Sequence, residues 1–373
     1  MSHFAQHDAF LQEALDARRE TGLLRRLACH EGLVDFCSND YLGLAQERYE
    51  AAPGETGWAG ATGSRLVSGN SATAEETERF LAAYHGAEAA LIFNTGYMAN
   101  VGLFSCIADR HATFVYDEQI HASIIDGMRL SGAKRHKFAH NDTADLERRL
   151  QAATGRVFVV VESLYSMDGD RAPLVEMAAL CQTFAAALVV DEAHATGLYG
   201  QGGRGLVHQY GLEGQVWARI HTFGKAMGLH GAAVLGSSLL RSFLVNHARS
   251  FIYTTAPPPS LYAHIRQAYD RLPAAGVDRL FARISQFQKV ATALEPLGIR
   301  VLANPSPIQA ILVPGNEAAA AFAAHLRAEG FFVKAILSPT VAGGTERVRI
   351  CLHAFNTAAQ VDHLLTAAKN YFS

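Results

Sequence analysis

Ala187-Leu188-Val189-Val190-Asp191-Glu192-Ala193-His194 joins an apolar run of strand length to a carboxylate and, three residues later, an imidazole. A run so short and so uniformly apolar fits a strand buried on both faces, the habit of a parallel sheet covered by helices. Similar runs recur at 89–93, 113–116 and 156–161. Helical patterns fit around them at 74–85, 95–107, 122–130, 143–151 and 174–184. The repeated β-α order predicts an α/β fold whose large domain, 41–257, is built on a mostly parallel sheet. Pro257-Pro258-Pro259 interrupts the order. Beyond it, helical stretches over 260–297, strands at 308–313, 331–336 and 348–352, a helix at 317–330 and a last helix through Leu365 predict a smaller α+β C-terminal domain, 258–373. Residues 1–40 are expected to form an N-terminal segment packed on that domain or on a partner subunit.

The 373 residues are 49% hydrophobic and 18% charged, the composition of an ordinary globular protein. A net charge of −3 without long basic runs leaves no footprint for nucleic acid or an anionic membrane. Five scattered cysteines without a C-x-x-C pair fit a reducing, cytoplasmic setting. Asp8, Glu13, Asp16 and Glu20 interrupt the first stretch, which predicts a surface helix in place of a signal peptide. No window approaches the roughly 18 uncharged apolar residues of a membrane span, so a soluble protein is expected.

In open α/β sheets, ligands sit beyond the carboxyl ends of the strands. Asp191 and His194 follow the strand at 187–190, Ser166 follows the one ending at Val161, and Thr222 and Lys225 follow residues 216–220. Taken singly, each has a plain alternative: a cap, a structural histidine, a solvated lysine. Lys225 between Gly224 and Ala226 is a candidate Schiff-base nucleophile, and such chemistry needs an electron sink. A carboxylate about 4 Å from a pyridinium nitrogen favours its protonated form by about 4 kcal/mol at an effective dielectric of about 20, close to three pKa units. Asp191 could fill that role. In Asn94-Thr95-Gly96-Tyr97, Thr95 is a candidate N-cap whose following amides could face a phosphate; taken alone, the stretch is better read as a plain β-α turn. Arg347-Val348-Arg349-Ile350 alternates, so both arginines share one strand face, where they could clamp a carboxylate or form a surface ion pair.

Two lookalikes fail. Asp191-Glu192-Ala193-His194 matches the magnesium-binding strand of a helicase-type hydrolase, but the Gly224-Lys225 pair is followed by Ala226 and has Arg219 where a P-loop needs its first glycine. Gly200-Gln201-Gly202-Gly203-Arg204-Gly205 fits G-x-G-x-x-G but lies nine residues beyond Asp191 and does not directly follow a strand, which predicts a flexible loop.

Four separated motifs, in one order, are more specific: Ser38-Asn39-Asp40-Tyr41-Leu42-Gly43-Leu44, Glu162-Ser163-Leu164-Tyr165-Ser166-Met167-Asp168-Gly169-Asp170, Asp191 to Gly197, and His221-Thr222-Phe223-Gly224-Lys225-Ala226. They resemble the α-oxoamine synthases, fold-type I pyridoxal-phosphate enzymes related to aspartate aminotransferase, over residues 33–353. The resemblance implies the PLP-dependent transferase fold with pyridoxal 5'-phosphate as cofactor, no metal, and a homodimer with its active site at the subunit interface. It implies Lys225 as the Schiff-base lysine, Asp191 at the pyridine nitrogen, His121 stacked on the ring and assisting acyl transfer, and Ser166 and His194 at the phenolic oxygen. Gly96, Tyr97 and Thr222 would bind the phosphate, with Thr254 or Thr255 reaching it from a neighbouring subunit. Asn39 and Arg349 would hold the amino acid, with Arg347 the alternative to Arg349.

Within the family, Gly60 to Leu66 followed by Ser68-Gly69-Asn70 is most similar to members that join L-alanine to a pimeloyl thioester in biotin biosynthesis. The acyl group would ride on coenzyme A or an acyl carrier protein. The alternatives are relatives taking glycine or serine: 2-amino-3-ketobutyrate ligase, 5-aminolevulinate synthase and serine palmitoyltransferase. A non-catalytic scaffold subunit would be marked by loss of the lysine, and Lys225 is present. Residues 46–59, around Pro53-Gly54-Glu55, are shorter than expected from many relatives, at the acyl-chain entrance.

Overall fold

The computed structural model describes residues 4–27, 29–49, 59–272, 276–292 and 294–373. The Pro53-Gly54-Glu55 segment lies outside the described residues. The chain divides into two compact units, the larger Asn39–Leu280 with His353–Phe355, the smaller the described residues up to Ser38, Phe281–Leu352 and Asn356–Ser373.

Along the chain, α1 (Ala5–Glu20) and β1 (Val34–Asp35) belong to the smaller unit, and the larger begins its regular structure with α2 (Ala72–Tyr84). Then come β2 (Ala89–Phe93), α3 (Gly96–Cys106), β3 (Ala112–Asp117), α4 (Ala122–Ser131), β4 (Lys134–Phe138), α5 (Thr143–Ala152), β5 (Arg156–Glu162), α6 (Leu174–Thr183) and β6 (Ala187–Asp191). After α7 (Leu206–Gln209), β7 (Ala218–Thr222), β8 (Ala232–Gly236), α8 (Ser238–His247), α9 (Arg249–Ile252) and α10 (Pro259–Arg271), helix α11 (Val277–Ala291) begins in the larger unit and continues into the smaller. Pro259 opens α10, where its missing N–H costs nothing, and Tyr262 O of that helix accepts from Thr77 Oγ1 of α2. The proline run thus starts a helix of the larger unit.

The seven-stranded sheet runs β2-β8-β7-β6-β5-β3-β4, with β8 antiparallel to both neighbours and the other pairings parallel. Leu188, Val189 and Val190 of the central β6 are buried, as a strand covered on both faces requires. Side-chain oxygens of Ser71, Thr95, Asp142 and Ser237 accept from the first turns of α2, α3, α5 and α8, which sets where those helices begin. Two sheet members lack a sequence signal. β4 is an edge strand whose residues 134–137 are exposed and charged or polar, so it carries no apolar pattern. β8, Ala232-Ala233-Val234-Leu235-Gly236, has only two large apolar residues among alanines and a glycine.

The smaller unit holds a four-stranded antiparallel sheet, β12 (Lys334–Ile336), β13 (Arg347–Cys351), β10 (Ile308–Leu312) and β9 (Val301–Leu302) in that order, with α12 (Asn316–Ala328) and α13 (Ala358–Phe372). The single strand expected at 331–336 is divided: β11 (Phe331–Phe332) pairs in parallel with β1, and after buried Val333 the chain moves to the other sheet. Residues 200–205 form a tight turn in place of the expected flexible loop. Gly197 N donates to Gly203 O and Gly205 N to Tyr199 O, and a Cβ on Gly205 would stand 2.0 Å from the Glu192 carboxylate.

Candidate active site

Parallel strands bring their carboxyl ends to one edge, and there β3, β5, β6 and β7 end in Asp117, Glu162, Asp191 and Thr222. Below that edge lies a cavity of about 170 Å³ lined by Gly96, Tyr97, Asn100, His121, Ser123, Glu162, Asp191, Ala193, Ile220, Thr222 and Lys225. Six residues expected from the sequence, Gly96, Tyr97, His121, Asp191, Thr222 and Lys225, therefore share one wall system although they come from five different loops and strand ends.

Asp191 is 5% exposed. Asn100 Nδ2 donates to its Oδ2 at 2.9 Å and the Ala193 amide to its Oδ1 at 2.9 Å, so both oxygens act as acceptors. Its register partner Glu162 is also buried. Burial first, and then the Asp191 charge, push the Glu162 carboxyl up to about 8, against the opposing pull of Lys225 and the His121 amide. Glu162 Oε1 has no hydrogen-bond partner among the described residues. Burial and the neighbouring carboxylate thus favour the neutral form of Glu162, while both Asp191 oxygens accept N–H donors. His121 caps α4, its Nδ1 accepting from Ser123 N at 3.2 Å and lying 2.7 Å from Ser123 Oγ. Partial desolvation lowers its pKa; Asp191 and Asp126 oppose this, and Lys225 adds to it.

At the opposite wall, the N-terminus of α3 faces β7. A Cβ on Gly96 would sit 3.2 Å from Thr222 Oγ1, so the glycine leaves room between the first α3 amides and that hydroxyl. His194, one residue past the lining Ala193, is fixed from the side: Tyr41 Oη lies 2.8 Å from its Nδ1 and donates to Asn39 Oδ1 at 3.1 Å. Ser166 lies on the turn after β5, and Thr254 and Thr255 follow α9, where Thr255 O accepts from Asn94 Nδ2. None of these three lines the cavity. Arg349 and Arg347 belong to β13 of the smaller unit, opposite Ala310 and Leu312 of β10. Asn100, Ser123, Glu162 and Tyr41 were not expected. A buried asparagine in the otherwise apolar α3 and a carboxylate closing β5 were the signals available.

An amine from Lys225, a carboxylate presented by two N–H donors, an imidazole, and a glycine-opened helix end fit an aldehyde-bearing, anionic, heteroaromatic cofactor: Lys225 for the aldehyde, Asp191 for a ring nitrogen, Gly96 and Thr222 for a phosphate. Fold and cavity together define a pyridoxal-phosphate-dependent enzyme. The chain belongs to the aminotransferase class I and II family, whose model matches residues 31–367. It is similar to an 8-amino-7-oxononanoate synthase of Emericella nidulans, 43% identical over 95% of this chain and 93% of that one. Another protein of that name, from Marinobacter nauticus, is 42% identical over 90% of this chain and 86% of its own. Among solved structures, a serine palmitoyltransferase variant from S. paucimobilis with a bound PLP-myriocin aldimine superimposes with a TM-score of 0.85 at 28% identity, covering 99% of this chain and 98% of that one.

Proposed function

We propose that this protein condenses L-alanine with a pimeloyl thioester, carried on coenzyme A or an acyl carrier protein, to give 8-amino-7-oxononanoate, carbon dioxide and the free thiol. The observation that carries this is the 43% identity, over nearly the whole chain, to a synthase named for that product. The serine palmitoyltransferase, at 28%, shares the fold but is a more distant match. Among the described residues no helix is long and apolar enough to cross a membrane, and the enzyme is read as a cytoplasmic homodimer.

Pyridoxal phosphate, when bound, supplies an aldehyde for amino groups and a ring that accepts the electron pair left on the alanine α-carbon. Lys225 Nζ would hold its aldehyde, and the same amine would serve as the base for the α-proton of alanine. The Asp191 carboxylate would favour a proton on the ring nitrogen, and His194 and Ser166 would hold the phenolic oxygen. The Gly96 and Tyr97 amides, Thr222, and the partner subunit's Thr254 or Thr255 hold the phosphate. Asn39 and Arg349 hold the alanine carboxylate, Arg349 by a bidentate pair. His121 would cover the ring and hydrogen-bond the acyl carbonyl; overall the alanine α-carbon is joined to the acyl carbon in place of the thiol, which is released together with carbon dioxide.

Purified holoenzyme given alanine and pimeloyl-coenzyme A should yield 8-amino-7-oxononanoate by mass spectrometry. A product with serine or glycine and none with alanine would reject the substrate assignment. Borohydride reduction and peptide mapping should place the cofactor on Lys225, and a label at any other lysine rejects the site.

A further inference from the structure

We infer that Asn100 and Ser123 are positioning residues that tie the His121 ring to Asp191 and hold its single proton on Nε2. The inference deepens the proposed function, since it rests on His121 serving that same cavity.

The connection is continuous and buried. Asn100 is 3% exposed and Ser123 fully buried. Asn100 Nδ2 carries two hydrogens, and it donates to Asp191 Oδ2 at 2.9 Å and to Ser123 Oγ at 3.0 Å. Because that hydroxyl accepts from Asn100, its own hydrogen is available to His121 Nδ1 at 2.7 Å. The Ser123 backbone amide donates to the same nitrogen at 3.2 Å, and an amide cannot reverse its role. Two donors converging on Nδ1 require its lone pair, which leaves the ring proton on Nε2. Adding a proton at Nδ1 would break the bond from the amide and force the hydroxyl to turn from donor to acceptor.

The direction of the amide is set from its far end. Turning Asn100 over would place Oδ1 against the Asp191 carboxylate, acceptor against acceptor. The observed orientation instead leaves Oδ1 without a hydrogen-bond partner among the described residues and keeps both amide hydrogens on Asp191 and Ser123. Helix packing accommodates the arrangement: a Cβ on Gly127 of α4 would lie 2.9 Å from Asn100 O and 2.9 Å from Phe104 Cβ, so the glycine permits α3 and α4 to approach this closely. The groups acting on the ring are Asp191, Asp126 and Lys225, and Glu162 meets the His121 backbone. With Nδ1 committed to α4, Nε2–H is the ring donor left for the acyl carbonyl, and His121 acts as a hydrogen-bond donor, not as a base.

The test is ¹⁵N NMR of histidine-labelled holoenzyme, with His121→Gln used to assign the signal. Wild type should show the Nε2–H tautomer. Ser123→Ala should mix the tautomers and raise the His121 titration by about one pH unit, the worth of one lost hydrogen bond of about 1.4 kcal/mol. The acid limb of the kcat/KM profile should move up with it, and Ser123→Thr should restore both. Asn100→Ser, the milder variant should Asn100→Ala fail to fold, should produce the same direction of shift. An Nδ1–H tautomer in wild type, or a tautomer and acid limb unmoved in Ser123→Ala and Asn100→Ser, overturns the inference. The NMR readout does not depend on which amino acid or thioester the enzyme takes, so it stands apart from the substrate assignment.

Discussion

Asp191 and Glu162 end neighbouring parallel strands in direct register and line the same cavity, yet their hydrogen-bonding surroundings differ. Asp191 receives two N–H donors; Glu162 is pushed up to about 8 by burial and by Asp191 itself. A neutral amide therefore replaces Glu162 with little change of charge at pH 7, whereas Asp191→Asn removes the field at the ring nitrogen. Glu162→Gln should keep kcat/KM within about threefold, and Asp191→Asn should lose on the order of a thousandfold, the equivalent of about 4 kcal/mol. Steady-state kinetics of the two variants decides it, and equal losses would put the proton on the wrong carboxyl. Both residues read alike in the sequence as acids closing apolar strands, and only their donors separate them.

Turns between elements position the reacting groups. Gly228, with φ +64°, closes the turn that carries Lys225, its amide donating to Lys225 O, and a Cβ there would stand 2.1 Å from Ala45 N. Gly228→Ala should cost about 2–4 kcal/mol by the strain of that φ and the backbone clash, read by urea unfolding. A second clasp joins the end of β3 to the turn after β5: His140 lies 2.9 Å from Asp117 and 2.8 Å from Asp170. Burial alone would lower its pKa, but the bonds to Asp117 and Asp170 outweigh it and raise it from 6.5 to about 9. A raised folded-state value means that the stabilisation is complete below about pH 6.5 and is lost as pH rises through about 9. The melting temperature should fall between pH 7 and 10, and His140→Gln should flatten that slope. The approach of Gly228 to Ala45 and the histidine clasp each join residues distant in sequence, so local patterns give no sign of them.

At the scale of the larger unit, a buried carboxylate links four parts of the chain. Glu78 of α2 accepts from Arg65 Nη1 and Ile92 N through Oε1, and from Arg241 Nη2 of α8 through Oε2. Arg65 and Glu78 have side chains 5% and 3% exposed. Removing one member of such a group leaves buried charge uncompensated, so Glu78→Gln should destabilise the protein by about 3–5 kcal/mol in chemical denaturation. A loss below about 1 kcal/mol would mean the guanidiniums find other partners or water. Arg65 sits in the Gly-Ala-Thr-Gly-Ser-Arg-Leu stretch, so this pairing also anchors that loop, with Leu66 and Val67 left exposed.

By itself the sequence determined the α/β class and the strands at 89–93, 156–161 and 187–190, because buried strands leave local apolar patterns, while the chemistry expected of Lys225, Asp191 and His121 came from the resemblance of its motifs. It did not reveal β4, whose exposed edge position needs no apolar residues, the split of 331–336 between two sheets, or the packed turn at 200–205. Tertiary structure alone decided which carboxyl keeps its proton and which nitrogen of His121 accepts. Asn100 of α3 donates both to Asp191 and to Ser123 and so bears on both outcomes from a distant part of the chain, and hydrogen-bond partners contributed across such distances leave no period or spacing in the sequence.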